Sequence, residues 1–148
     1  MIDRSCIGKM VSRHSVLVEK GRLRFFLKAI GEQMPAADAH GELPVPLTYL
    51  FSLDMERPDP YDWLAGVGLE LSRVLHGEQS FRYVSPCHTG DTLMFETTVE
   101  DVYERRGGSL EFLVKHTSVT AADGRHVADL GSTIVQRPPD LPGLEDHA

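Results

Sequence analysis

The chain has 148 residues, enough for one domain with a real core and too few for two ordinary ones. Its net charge of -7 argues against a general affinity for nucleic acids or anionic membranes, whose phosphates would repel it. The N-terminal residues lack a continuous apolar core and no apolar run is long enough to cross a bilayer, so we expect a cytoplasmic protein without signal peptide or membrane partner.

A strand and an amphipathic helix are predicted first. Residues 11–18 end in a β-branched run, which favours a short strand. Residues 19–30 then show a helical period, with four apolar side chains at i, i+3, i+4 and i+7 that we expect to be buried: Leu23, Phe26, Leu27 and Ile30. Gly31 follows the last of them, at the position of a left-handed helix cap.

Proline-containing loops separate the next segments. Residues 32–46 are predicted to be a loop because prolines and a glycine interrupt them. The apolar residues 47–53 permit a strand or a short buried helix, and Pro46 favours the helix because proline suits a first helical position. Residues 56–62 form a second loop, and residues 63–71 are expected to be a short helix or irregular cover.

The second half of the chain has the alternating pattern of antiparallel strands. Apolar and polar residues alternate around Phe81, over 93–99, over 110–114 and over 127–135, with turn signals between these runs at 86–90, 107–108 and 123–124. An amphipathic helix followed by such a meander predicts an α+β protein whose sheet wraps around a central helix, because each element must bury one apolar face. This is the hotdog fold.

We expect a single domain over residues 1–148, with a core of roughly 7–138 and a surface tail over 139–148. A lone hotdog leaves a sheet edge uncovered, and an uncovered edge invites pairing with another strand. We therefore predict that the chain pairs as a double hotdog, either with itself or with a related subunit.

Four short segments follow one another in an order known from an enzyme family: Gly31–Ala37, Pro44–Phe51, Leu75–Gln79 and Pro86–Leu93. The order resembles the N-terminal, FAS1-like dehydratase domain of the MaoC-like hotdog hydratases. In active members the first segment reads Gly-Asp-x-Asn-Pro-x-His, and its Asp and His activate the water that adds to, or leaves from, an enoyl thioester. On this chain the Asp falls on Glu32 and the His on Ala37, so the resemblance implies a degenerate catalytic pair.

The candidate catalytic residues all lie in this first loop: Glu32, Asp38 and His40. Glu32 could replace the aspartate, although its extra methylene moves the carboxylate by about 1.5 Å. Asp38 and His40 would serve instead if the loop were shifted by three residues. The alternative is that both are solvated, as is usual in loops rich in proline, glycine and acidic residues.

The resemblance also implies substrate-binding residues in two other segments. Pro46, Thr48 and Tyr49 fall where the family begins the helix that lines the acyl channel. His76 and Gly77 fall at the start of a central strand, where a single histidine is more often structural or channel-lining than an acid–base group. Exposed arginines that could meet the phosphates of a pantetheine carrier are Arg73, Arg82, Arg105 and Arg106.

No metal or cofactor is expected. No two histidines have metal-ligand spacing beside a cysteine or carboxylate. Cys87 has no histidine–carboxylate company in the sequence, which makes it a poor candidate nucleophile. Together with Cys6 it makes only two cysteines, which is no disulfide framework.

Three hypotheses for function remain open, all with an acyl-CoA or acyl-carrier-protein thioester as ligand. In the first, the chain is a non-catalytic, substrate-shaping subunit that pairs with a catalytic MaoC-like partner in an enoyl-CoA hydratase or (3R)-hydroxyacyl dehydratase. In the second, it is a self-sufficient enoyl-CoA hydratase with a rearranged acid–base loop. In the third, it is a hotdog thioesterase. The methyl group of Ala37 cannot move a proton, which favours the first.

Overall fold

Five antiparallel strands form one sheet, and two helices pack on its inner face. The computed structural model describes residues 1–138, and the predicted tail over 139–148 lies outside the described residues. The elements are β1 (Met10–Leu17), α1 (Lys20–Ala29), α2 (Tyr49–Asp54), β2 (Val74–Tyr83), β3 (Thr92–Arg105), β4 (Leu110–Ala121) and β5 (His126–Gln136). The strand order is β1-β3-β4-β5-β2, so β1 and β2 are the edges. The predicted α+β hotdog fold is confirmed.

The alternation seen in the sequence decides which side of each strand is buried. On β3, Leu93, Phe95, Thr97 and Val99 face the core, because successive side chains of a strand point to opposite faces. A bulge between Val99 and Asp101 then shifts the register, so that Val102 continues the buried face and Asp101 remains exposed. The strand thereby keeps one apolar face over its whole length.

The cap predicted after α1 is present. Gly31 has a φ of 76°, the left-handed conformation that glycine adopts without a steric cost. Its N–H donates to the carbonyl of Lys28 at 3.3 Å, and the N–H of Glu32 donates to the carbonyl of Leu27 at 2.9 Å. These two bonds form a Schellman motif, which ends the helix and fixes where the following loop begins.

The burial predicted for α1 is partly wrong. Leu23 and Leu27 are buried as expected, whereas Phe26 is half-buried against the ring of Tyr49. Ile30 is 49% exposed. Ile30 follows the last helical residue, Ala29, and its N–H still donates to the carbonyl of Phe26 at 3.0 Å, so it keeps its place on the stripe but lies where the helix ends beyond the cover of the core.

The most deeply buried helix is the short α2. Tyr49, Leu50 and Leu53 are almost inaccessible and join the same core cluster as Phe95 and Val119 of the sheet. The choice of helix over strand for this segment is therefore confirmed, but the reason given for it was wrong. Pro46 is not at the first helical position: the helix begins at Tyr49, and Thr48 occupies its N-cap position.

A second, smaller cluster closes the other end of the sheet. It joins the N-terminal turn Arg4–Cys6, the short helical turn Ala65–Val67 and the neighbouring Leu64 and Leu69 to the sheet residues Val99, Val102, Leu113 and Ile134. Residues 63–71 thus form the irregular cover predicted for them. Within residues 1–138, no helix has both the length and the apolarity needed to cross a bilayer.

Candidate functional site

Two loops are fastened to each other beside the inner face of the sheet. Residues 43–45 run antiparallel to residues 87–89, with one isolated β-bridge between Pro44 and His88. The N–H of Val45 donates to the carbonyl of Cys87, and the N–H of Thr89 donates to the carbonyl of Leu43, both at 2.9 Å. This pairing fixes the chain immediately before α2, where the resemblance placed substrate-binding residues.

Thr48 begins α2 in a strained conformation. Its φ is 73°, in the left-handed region that β-branched residues rarely occupy. The backbone N–H of Thr48 donates to the hydroxyl of Tyr83 at 2.9 Å, which ties the start of α2 to the end of β2. Burial raises the pKa of Tyr83, and the hydrogen bond from Thr48 acts in the opposite direction. Strain of this kind is found where a site requires a particular backbone path.

A cleft of about 530 Å³ opens between α1, α2 and β2. Its walls are mainly apolar, and the lining residues are Phe26, Ile30, Thr48, Phe51, Ser52, His76, Gln79 and Phe81. The imidazole of His76 meets the ring of Phe51 edge-on, with 5.4 Å between centroids. The structure thus brings together two of the predicted substrate-binding residues, Thr48 and His76, in one cleft.

An adjoining groove contains Glu32 and Pro46. It has a volume of about 340 Å³ and shares Ile30 with the cleft. Glu32 is exposed and lines this groove. Pro46 lines it too, together with Pro35 and Pro44. Glu32 is therefore the one predicted catalytic residue that borders a groove next to the cleft.

Tyr49 and Gly77 have structural positions. Tyr49 is 3% exposed and lies beneath α1 against Phe26, and burial raises the pKa of its hydroxyl. Gly77 is the extra residue of a bulge in the pairing of β2 with β5. A Cβ at Gly77 would lie 2.9 Å from a methyl group of Val135, so the close approach of the two strands requires glycine.

Asp38 and His40 lie on the exposed loop and line neither the cleft nor its adjoining groove. The carboxylate of Asp38 accepts the backbone N–H groups of His40 and Glu42, both at 2.8 Å. The bond from Glu42 is the main cause that lowers the pKa of Asp38. Asp38 therefore holds a turn, and its contact with His40 is to the main chain and not to the imidazole.

Three of the four arginines considered for phosphate binding already have protein partners. Arg73 contacts Glu70 at 2.6 Å and donates to the carbonyl of Arg137 at 2.7 Å. Arg82 pairs with Asp129. The guanidinium of Arg105 lies over the ring of Tyr103, 4.8 Å from its centroid. The contacts of Arg73 and Arg82 take up N–H donors that a phosphate could use, whereas the contact of Arg105 with the ring face takes up none.

Neither cysteine has the environment of a nucleophile. Burial raises the pKa of Cys87 to about 11, which suppresses the thiolate. Cys6 and Cys87 are both free and lie in different core clusters. Residues 1–138 contain no group of three histidine, cysteine or carboxylate side chains arranged to hold a metal ion.

Sequence reasoning missed two charged groups. Asp129 on β5 is contacted by the imidazoles of His116 at 3.0 Å and His126 at 3.2 Å. Asp54 and Lys115 form a buried ion pair at 3.2 Å. Lys115 had left a signal in the sequence, because it stands at the inward position of an alternating strand between Leu113 and Thr117.

Comparison with known proteins identifies relatives over nearly the whole chain. A protein of Saccharopolyspora erythraea, named UPF0336 protein, is 31% identical over 145 residues, which cover 92% of this chain and 92% of the relative. Residues 5–130 match the family model described as FAS1-like, dehydratase domain region.

Solved structures share the fold. The HadBC (3R-hydroxyacyl-ACP dehydratase) complex of Mycobacterium tuberculosis contains a chain similar to this one with a TM-score of 0.73 and 22% identity, over 88% of this chain and 96% of that chain. A MaoC-like dehydratase of Rhodospirillum rubrum gives a TM-score of 0.66 and 17% identity, over 91% and 94% of the two chains. The matched sequence and the hotdog architecture together show that this chain belongs to the FAS1-like dehydratase family.

Proposed function

We propose that this chain is a substrate-shaping, non-catalytic subunit of an enoyl-CoA hydratase or (3R)-hydroxyacyl dehydratase. The observation that carries the proposal is the loop over residues 31–41, which lacks the proton-moving pair although the neighbouring cleft is formed. Ala37 offers only a methyl group, and Oδ1 of the exposed Asp38 accepts two main-chain N–H groups, which fixes this carboxylate in a turn outside the cleft. General acid–base catalysis needs a group within hydrogen-bond reach of the reacting atoms.

The cleft has the properties expected of an acyl-binding surface. Its volume of about 530 Å³ lies in the range of small-molecule sites, which are mostly apolar with a few polar groups. Phe26, Phe51 and Phe81 supply apolar walls, and His76 and Thr48 supply the polar groups. An acyl-CoA or acyl-carrier-protein thioester fits this chemistry. Addition of water to the double bond of an enoyl thioester requires no cofactor.

The exposed edge of β2 supports pairing with a catalytic MaoC-like subunit. This strand is ten residues long and exposed over most of its length, although it forms the edge of the sheet. A long open edge with apolar side chains such as Leu75 is a template for another strand. His76 and Gln79 belong to both this edge and the cleft, so a subunit bound here would also cover the cleft.

Pairing makes a first test of the proposal. Light scattering on the single domain of residues 1–148 should give twice the mass of one chain when no partner is present. Co-expression with a MaoC-like subunit that carries Gly-Asp-x-Asn-Pro-x-His should replace that homodimer by a heterodimer. A chain that stays monomeric under both conditions would contradict the pairing.

Catalysis makes the decisive test. The purified chain and its complex with the catalytic subunit are assayed on crotonyl-CoA and on longer enoyl-CoAs. We expect the chain alone to be slower than the complex by about 10² to 10⁴, the usual contribution of a missing acid–base group. In the complex, Phe51→Ala should change the preference for acyl-chain length, whereas Phe25→Ala, at a position 76% exposed and outside the cleft, should not.

Turnover by the chain alone at ordinary enzyme rates would instead support a self-sufficient hydratase. His40→Ala and Asp38→Asn are then the variants to compare, because loss of activity in both with unchanged stability would assign the acid–base pair to the loop. Retained activity would leave Glu32 and His76. Release of free thiol from saturated acyl-CoA, abolished by Glu32→Gln, would support a thioesterase.

A further inference from the structure

A second, more enclosed cavity lies next to the cleft. It has a volume of about 180 Å³ and shares Phe51 and His76 with the cleft, so the two spaces adjoin at these side chains. Most of its wall is apolar and comes from the irregular cover over residues 60–75, including Trp63 and Leu71. A cavity of roughly 150 Å³ accommodates benzene, so this one has room for a group of that size.

One wall of the cavity carries a charge. Lys115 projects from the inward face of β4 and pairs with Asp54 at the end of α2, with 3.2 Å between Nζ and Oδ2. Only 12% of the Lys115 side chain and 8% of the Asp54 side chain are exposed. Ser132 lies opposite Lys115 on β5, and its hydroxyl donates to the side chain of Gln79 in the cleft.

The ammonium of Lys115 is incompletely satisfied. It has three N–H donors, and within residues 1–138 its one hydrogen bond is the contact with Asp54. A buried ion pair is favourable only when further hydrogen bonds compensate for the lost hydration. If the cavity bound only hydrocarbon, an apolar residue of similar volume in place of Lys115 would avoid the cost of burying a charge. The donors that are not directed at Asp54 can therefore serve an oxygen acceptor that enters the cavity.

We propose that this cavity binds the distal part of an acyl group that carries a neutral oxygen, a ketone or a hydroxyl, and that Lys115 donates to that oxygen. The proposal rests on the proposed function, since the acyl chain would reach the cavity from the cleft past Phe51 and His76. The oxygen is neutral because Asp54 already balances the charge of Lys115, and a carboxylate would leave one uncompensated negative charge in an apolar space. The substrate class is thus an oxygenated acyl thioester.

The test compares matched ligands by isothermal titration calorimetry on the full chain, alone and with its catalytic partner. The ligands are octanoyl-, decanoyl- and dodecanoyl-CoA, their derivatives with an oxo group on the penultimate carbon, and the corresponding dicarboxylic monothioesters. At the chain length that spans the cleft, the oxo derivative should bind about tenfold more tightly than the plain acyl-CoA, the usual effect of one hydrogen bond to a charged group. The dicarboxylic ligand should bind less tightly than either.

Two substitutions distinguish a specific contact from a structural role. Lys115→Met combined with Asp54→Asn removes both charges together, which avoids leaving one buried ion alone, and should abolish the preference for the oxo ligand. Asp54→Asn alone should reverse the order, so that the dicarboxylic ligand becomes the tightest. Lys28→Met, which removes a charge from the exposed face of α1, is the control and should leave the order unchanged.

The outcomes separate the two proposals. If plain and oxo ligands bind equally at every length, and the Lys115 variant does not differ from the native chain, the inference is overturned while the proposed function stands. If no acyl-CoA binds to the chain or to its complex, the proposed function fails and the inference fails with it.

Discussion

The loop over residues 31–41 and the segment over residues 43–54 border the same site, yet they are built differently. The loop is exposed and is held mainly by the Asp38 carboxylate, which accepts two of its main-chain N–H groups, and by Lys20 of α1, which donates to the carbonyl of Gly41. The segment is paired to residues 87–89, passes through the strained Thr48 and ends in the most deeply buried helix of the protein. The difference teaches that the loop and the cavity are built separately here: the loop carries Ala37 where the resemblance expects a histidine, while the segment shapes the cleft without depending on the side chains of the loop.

The largest effect is expected in α2. Leu50→Ala should lower the free energy of unfolding by about 2–5 kcal/mol, because this fully buried side chain would leave a cavity. Leu47→Ala, at a position 68% exposed just before the helix, should change it by no more than about 0.5 kcal/mol. Chemical denaturation measures both. Equal losses in the two variants would contradict the packing of this segment.

A smaller effect of opposite sign is expected at the start of the same helix. Thr48→Gly should stabilise the protein by up to about 1 kcal/mol, because glycine occupies the left-handed region without the steric cost of a Cβ. Thr48→Ala keeps the Cβ and should bring no gain. Thermal unfolding gives the comparison, and destabilisation by glycine would mean that the threonine side chain itself stabilises the cleft.

The loop should respond only locally. Asp38→Ala removes the acceptor of two backbone N–H groups, so the amides of His40 and Glu42 should exchange with solvent several-fold faster. His40→Ala keeps that acceptor and serves as the matched control, with unchanged exchange at Glu42. Hydrogen exchange followed by NMR resolves both residues. Slow exchange in the Asp38 variant would show that other contacts hold the loop.

The smallest expected effect is on the stability of the fold at acidic pH. His14 stacks on Phe95 at 5.2 Å and both its ring nitrogens are buried, and this burial lowers its pKa against the opposing influence of Asp54. The unfolded chain therefore takes up the proton first, so stability is full above the unfolded pKa near 6.5 and declines as the pH falls below it. His14→Phe should flatten this decline below about pH 6.5. If the free energy of unfolding falls equally with pH in the native and variant chains, groups other than His14 cause the loss of stability in acid.

Periodicity predicted the elements whose burial follows from local pattern, and it failed where the outcome depended on distant contacts. The strands and the cap at Gly31 were foreseen because alternation and glycine chemistry act over a few residues. The exposure of Ile30 was not, since it depends on where α1 ends. Pro46 was taken as a helix start, although the path is set by pairing with residues 87–89.

The candidate site was predictable to a similar degree. Thr48 and His76 were expected to bind substrate, and the fold brings both to one cleft. Asp38 and His40 have the right side-chain types, but their sequence could not reveal that a turn would take up the carboxylate. Lys115 was missed although its place between Leu113 and Thr117 indicates an inward side chain, and only the fold shows that Asp54 is there to pair with it.

The loop is anchored at both ends, by the helix cap at Gly31 and by the bridge between Pro44 and His88. It can therefore be replaced as a unit. A stretch anchored independently at both ends can change in sequence or length without displacing what lies beyond the anchors, and loop closure depends only weakly on length. If the equivalent stretch of an active relative is grafted between these anchors, we expect the backbone on both sides to keep its position. Under the proposed function, the missing acid–base pair is confined to this one stretch, and a short graft between the two anchors is expected to restore it.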